Sequence, residues 1–311
     1  MKKIRLGFCD MWQGFSKENN WFTNTLRQRF DIEIVDDPDF LIFGQPGKEH
    51  RRYKCVKIYF GVESFDPNWR ICDYALTCNY LDDQRHFRLP LYVLYTSAER
   101  IKEARGDIQR EIPPKFCSFV VSNAGKKKTQ RRVDFFHALS RYRQVDSGGR
   151  YLNNIGGPIP GGSGGKVKFL SEYKFNIAFE NESKPGYTTE KIVEAFLAGT
   201  VPIYWGNPRI AEDFNPESFI NAHQFASDEE LIRCIARVDE DESLYAQILA
   251  KTPLGSDALE QFFDKESFHA FFQRVFSTPA KSFARRLFDF PQVRRHAFRF
   301  PGLTCKAQST E

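Results

Sequence analysis

The chain has 311 residues, 41% of them hydrophobic and 27% charged. That is the make-up of a globular protein with core enough for one large or two medium domains. A formal net charge of +5 is too mild to mark a nucleic-acid binder, and an even mix of surface charge is the plainer reading. No run of 18 apolar residues occurs, so no helix is expected to cross a membrane.

The N-terminus, MKKIRLGFCDMW, begins with basic residues, but Asp10 and Gln13 interrupt the apolar stretch a signal peptide needs. Seven cysteines, at 9, 55, 72, 78, 117, 234 and 305, form no CxxC pair and lie near no histidine cluster. A zinc site is therefore not expected. Several sit in apolar runs where a thiol acts as a small hydrophobe, and a reducing, cytoplasmic setting is expected.

KIRLGF (3–8) predicts a strand and NWFTNTLRQRF (20–30) an amphipathic helix. Strands are predicted at 31–35, 40–43, 56–61 and 73–78. This alternation favours a mainly parallel sheet with crossover helices. Residues 100–112 turn charged and helical, and Pro113-Pro114 then punctuates the chain. A boundary placed there divides it into 1–114 and 115–311.

FCSFVVS (116–122) predicts a new strand, leading through KKKTQRR (126–132) into a helix, VDFFHALSRYR (133–143). The Gly-rich stretch SGGRYLNNIGGPIPGGSGG (147–165) lacks both GK[ST] and GxGxxG, so it reads as a flexible loop rather than a phosphate cradle. A strand at 168–180, a helix at 188–198, a strand at 201–205 and helices at 227–239 and 243–251 follow. The expected fold is α/β, with two Rossmann-like halves facing across a cleft and ligands at the carboxyl ends of the strands.

Basic and Phe residues alternate from Lys281 to Arg299. They fit a closing helix with a solvated basic edge, or peripheral contact with an anionic membrane surface through 281–300. Pro291 breaks the helix and favours the first reading.

Residues 173–207, YKFNIAFENESKPGYTTEKIVEAFLAGTVPIYWGN, read as strand, polar loop, helix N-terminus and strand. Such a βαβ unit offers free N–H groups and a positive dipole end to a phosphate. Transfer from an activated sugar needs positive charge on the leaving diphosphate and a base for the acceptor hydroxyl. Lys191 in the first helical turn, and Arg131 and Arg132 before the 133–143 helix, are the candidate cations. Asp37-Pro38-Asp39 has the spacing of a metal-binding DxD but is more simply a turn. The six histidines (50, 86, 137, 223, 269, 296) show no recognisable arrangement with a carboxylate. Glu63, just past a hydrophobic strand and Gly61-Val62, is the leading candidate base, with Glu180 and Glu190 as alternatives.

FENESKPGYTTEKIVEAFLAGTVPIYWGNP resembles the signature of the α-1,3-fucosyltransferases, glycosyltransferase family 10, including the bacterial enzymes that build Lewis-type antigens. IYFGVES…DYA, FCSFVVSN…R.DFFHAL and FNPESFIN (214–221) are similar to further family segments, so the likeness covers roughly residues 40–225. It implies a GT-B-like fold with an N-terminal acceptor-binding domain, a C-terminal GDP-fucose-binding domain and inverting, metal-independent transfer without a cofactor.

The resemblance makes Glu63 the general base. It gives the diphosphate to Arg132 and Lys191, with the helix start at Thr188-Thr189, and donor contacts to Asn181, Tyr187 and Glu190. It prefers Arg132 over Arg131 by its spacing from Leu139. The implied acceptor is a GlcNAc-containing, N-acetyllactosamine-type glycan, with the choice between 3- and 4-hydroxyl open. Val62 and Phe65 depart from the family pattern around the base. Another nucleotide sugar as donor, or a non-catalytic nucleotide-sugar or glycan binder, are the rival readings.

Overall fold

A computed structural model describes residues 3–45, 47–106, 111–122, 127–160, 162–255 and 259–279. The first half runs β1 (Ile4–Cys9), α1 (Trp21–Leu26), β2 (Ile32–Ile34), β3 (Phe40–Phe43), β4 (Val56–Gly61), β5 (Tyr74–Thr77), β6 (His86–Arg88) and α2 (Ala98–Gly106). Its six strands form one parallel sheet in the order β2-β1-β3-β4-β5-β6. Strands β3 and β4 are buried along their whole length, as continuous apolar runs are when helices and loops cover both faces.

The second half runs β7 (Lys115–Phe119), α3 (Gln130–Tyr142), β8 (Val145–Ser147), α4 (Ser163–Leu170), β9 (Tyr173–Phe179), α5 (Glu190–Leu197), β10 (Val201–Trp205), β11 (Ile220–Asn221), α6 (Asp228–Glu240) and α7 (Glu242–Leu249). Its sheet is parallel too, in the order β11-β10-β9-β7-β8. The strand β9, YKFNIAF, is central and fully buried, so its carboxyl end, Glu180 and Asn181, emerges at the middle of the sheet. Between the halves, Arg88, the last residue of β6, forks onto both oxygens of buried Asp213 at 2.7 Å. A bidentate pair of this kind fixes orientation as well as distance.

A last helix, α8 (Glu266–Ser277), returns to the first half. Phe268 packs edge-on to Trp21 at 4.8 Å, Phe276 packs on Phe40 and Phe30, and the His269 ring donates to the Thr25 carbonyl at 2.9 Å. The division at 114/115 assigned this segment to the second half; its aromatic face instead completes the first core. Many of the chain's 31 phenylalanines are spent here.

Other departures are local. The strand expected from 168 begins at Tyr173, and the residues before it form α4, because a short apolar run suits either state. Strands β6, β8 and β11 have two or three residues, too few to show a period. The Gly-rich stretch is not slack. Asn154 accepts from the Ser147 N–H and donates to the Val145 carbonyl, and Tyr151 N–H reaches the Val121 carbonyl. A Cβ on Gly149 would stand 1.9 Å from that carbonyl oxygen, so this close approach needs glycine. The tail 281–300 lies outside the described residues.

Candidate active site

The carboxyl ends of β4 and β9 and the N-termini of α3 and α5 meet between the halves. Gly186, with φ of +88°, lets the 181–187 loop pass against Cys78 just after β5; a Cβ there would meet the Cys78 carbonyl oxygen at 2.1 Å. This loop and the 62–66 loop after β4 are stitched together. Ser64 donates to Glu182 at 2.5 Å, and Lys184 donates to the Ser64 carbonyl and lies 3.4 Å from Asp66.

Glu180 is fully buried. It accepts from the Thr189 N–H at 2.7 Å, from the Thr189 hydroxyl, and from the Lys191 ammonium at 2.8 Å. It cannot be the base, because its proton-accepting atoms are enclosed and engaged. The same geometry corrects part of the expectation that Thr188-Thr189 offers free N–H groups: the Thr189 N–H is taken by an internal carboxylate, while the Thr188 hydroxyl accepts from Asn207. Two side chains bring positive charge to the site.

Lys191 is one. Burial disfavours its ammonium, but Glu180 and Glu190 outweigh this and hold its pKa above the ordinary value. Glu190 is half-buried; burial raises its pKa, but Lys191 and Lys166 keep its carboxyl below the usual range. Lys166, on α4, also pairs with Glu194 of α5. Nothing in the sequence singled it out, since a lone lysine after a Gly-rich run carries no spacing signal.

Arg132 is the other cation. It is 3% exposed and donates to Asn181 Oδ1 at 2.7 Å; burial lowers its pKa, against the pull of Glu180. Asn181 Nδ2 lies 3.3 Å from the Tyr187 hydroxyl, which lies 3.2 Å from Glu63 Oε2. The structure thus brings Glu63, Arg132, Asn181, Tyr187, Glu190 and Lys191 into one cleft. Arg131 points elsewhere, forking onto Asp228 at 2.5 and 2.9 Å beside Phe179 and Trp205. Arg131→Gln is expected to change stability by less than about 1 kcal/mol and leave turnover close to wild type. Urea unfolding and initial rates check this, and a large loss of turnover would undo the preference for Arg132.

Next to Glu63, a cavity of about 530 Å³ opens at the carboxyl ends of β1, β3 and β4. Val62, Trp12, Phe15, Trp21, Leu94 and Tyr95 line it, and Trp12 and Tyr95 are 52% and 45% exposed. Asp10, in a left-handed conformation at φ 55°, forms part of its wall. Its carboxylate accepts from the backbone N–H groups of Glu49 and His50 and contacts His50 Nδ1 at 2.8 Å. Burial alone would raise the Asp10 pKa, but these hydrogen bonds lower it. The sequence shows no recognisable arrangement of this histidine with a carboxylate because the two partners stand 40 positions apart. Phe65, one of the departures from the family pattern, is exposed beside the base.

Among the described residues, no three or more His, Cys, Asp or Glu side chains converge as a metal site. Asp37 is exposed and only loosely paired with Arg5 at 3.9 Å, in keeping with a turn. No helix among the described residues is long and apolar enough to cross a membrane.

Two family models match the chain: the N-terminal domain of the alpha-(1,3)-fucosyltransferase FucT over residues 6–95, and the C-terminal part of glycosyltransferase family 10 (fucosyltransferase) over residues 113–250. The chain is 32% identical over 295 residues to the alpha-(1,3)-fucosyltransferase FucT of Helicobacter pylori, matching 80% of this chain and 60% of that protein. It is 30% identical over 174 residues to human GDP-fucose protein O-fucosyltransferase 3, over 52% of this chain and 36% of that one. The chain thus spans about 60% or less of the length of these relatives. Among solved structures, an α1,3-fucosyltransferase with GDP-fucose superposes with a TM-score of 0.73 at 27% identity, over 89% of this chain and 91% of that one. The paired parallel sheets match the GT-B arrangement of that structure. With both halves matched by its two models, the chain belongs to glycosyltransferase family 10, the fucosyltransferases.

Proposed function

We propose that the protein transfers L-fucose from GDP-β-L-fucose to a hydroxyl of GlcNAc, O3, in an N-acetyllactosamine-type glycan, with inversion to an α linkage and without a metal. The observation that carries this reading is a carboxylate from one half, Glu63, facing two cations of the other half, Arg132 and Lys191, across one cleft. The likeness to fucosyltransferases, and to an α1,3-fucosyltransferase solved with GDP-fucose, supports the donor.

One displacement suffices. Glu63 takes the proton of the acceptor hydroxyl as that oxygen bonds to fucose C1 on the face opposite the diphosphate. The C1–O bond breaks through an oxocarbenium-like transition state, and its electron pair leaves with GDP. Charge grows on the leaving diphosphate, and Arg132 and Lys191, preorganised by their hydrogen bonds, stabilise it without reorganising. Lys191 spends one donor on Glu180 and another on the Thr189 hydroxyl. An ammonium has three, which leaves one for a phosphate oxygen.

The aromatic cavity beside Glu63 is large enough for sugar rings, and its apolar faces suit a neutral glycan. The described cysteines are all free thiols, five of them buried, which supports a reducing compartment. The test is a panel of GDP- and UDP-sugars with N-acetyllactosamine and with an unglycosylated protein acceptor, the product linkage read by NMR. An α-1,3-fucosylated glycan is expected. A β linkage, another preferred donor, or transfer to the protein alone would contradict the reading.

A further inference from the structure

Among the described residues the large exposed apolar side chains are Trp12, Phe65, Tyr95, Tyr142 and Ile155. Three of the five stand around one cleft: Trp12 and Tyr95 line the aromatic cavity, and Phe65 follows the candidate base by two residues. Exposed rings gathered beside a reaction centre mark a binding surface. Of the residues lining the cavity, Asp10 alone carries a charge, and its carboxylate is taken up by Glu49 and His50. What the cavity offers a ligand is mainly ring faces.

Tyr95 differs from the other lining rings in what lies behind it. It closes a 3₁₀ turn, Leu91–Leu94, its N–H donating to the Tyr92 carbonyl at 3.1 Å. Tyr92 and Val93 of this turn are buried in one core with Ile192, Val193 and Phe196 of α5. The turn belongs to the first half and α5 to the second, so this packing brings Tyr95 to the helix whose first turn carries Glu190 and Lys191. Burial raises the Tyr95 pKa, Glu190 and Glu194 raise it further, and Lys191 opposes them, so the phenol stays uncharged near neutral pH. Tyr95 thus lies between the donor-site charges and a cavity that reaches Val62, the neighbour of Glu63.

We propose that Tyr95 is a specificity-determining residue that contacts the acceptor: its ring walls the cavity from the donor site, stacks on a C–H face of the acceptor sugar and keeps water from fucose C1. This rests on the reading of the cavity as the acceptor site and names the side chain that selects a sugar hydroxyl over water. The face of an aromatic ring is negative and the C–H groups of a pyranose are slightly positive, so the two attract without a formal charge. Water has no such face to offer. Where it enters, its oxygen bonds to C1 in place of the acceptor's, its proton is lost, and free fucose and GDP result.

The experiment measures kcat, both KM values, GDP affinity and the ratio of fucosylated glycan to free fucose, with N-acetyllactosamine as acceptor. The proteins are wild type, Tyr95→Phe, Tyr95→Leu and Tyr95→Ala. Tyr95→Ala is expected to raise the acceptor KM roughly 3- to 30-fold, the worth of a ring contact and the apolar area it covers. It should shift the products toward free fucose and change GDP affinity by less than about threefold. Tyr95→Leu, which keeps apolar bulk without a ring, should lose nearly as much, and Tyr95→Phe should recover most of the loss. Tyr95→Leu carries the test if Tyr95→Ala does not fold. Recovery by leucine as complete as by phenylalanine would overturn the stacking role. A raised donor KM with the acceptor KM and product ratio unchanged would make Tyr95 a donor contact and overturn the proposal. Wild type that yields only free fucose with this acceptor would defeat the acceptor reading itself, and the proposal with it, before any variant is compared.

Discussion

Glu63→Ala is expected to lower kcat by about 10²- to 10⁴-fold, the usual worth of a positioned general base. GDP affinity should hardly change. Glu63 belongs to the first half, while the cations expected to hold the diphosphate belong to the second. The carboxylate is half-buried, two residues past the end of β4. The loss should therefore fall on the chemical step and not on folding. Single-turnover rates and GDP titration separate the two, and near-normal turnover would remove Glu63 from the mechanism.

Lys191→Ala should do two kinds of damage. Removing one preorganised cation from a leaving diphosphate raises the barrier by about 2.7–4 kcal/mol, or 10²- to 10³-fold in rate. The same change strands fully buried Glu180, whose ion pair with Lys191 is 2.8 Å long. Breaking a buried pair on one side costs about 3–5 kcal/mol of stability. Thr189 still donates two hydrogen bonds to Glu180, which places the loss toward the lower end of that range. Arg132→Ala should show a comparable kinetic loss with a smaller effect on Glu180, because Arg132 hydrogen-bonds the neutral amide of Asn181 and acts on Glu180 only through its charge. Urea unfolding beside initial rates distinguishes the two variants. Equal stability losses in both would mean that Glu180 does not depend on Lys191.

The strands of both sheets that carry the site were legible because FLIF is a continuous apolar run, as parallel strands buried on two faces leave, and YKFNIAF is apolar at every second position. The cations were legible from a helix start, and the base from a carboxylate just beyond a strand. What escaped notice depends on tertiary contact. His50 meets Asp10 across 40 residues, Lys166 reaches α5 only because α4 packs on it, and α8 crosses back to the first core. Glu180 was misread for a related reason. A carboxylate at a strand's end looks the same in sequence whether it faces a cleft or caps the next helix. Only its burial and its bonds to Thr189 and Lys191 tell the two apart.

The central claim is a metal-independent displacement driven by Glu63 across a cation-lined cleft. Its most direct test is GDP release from GDP-fucose, with and without N-acetyllactosamine, in EDTA, for wild type and Glu63→Ala. The account predicts acceptor-dependent release that survives EDTA and collapses in the variant. Release abolished by EDTA, or equal in both proteins, would contradict it.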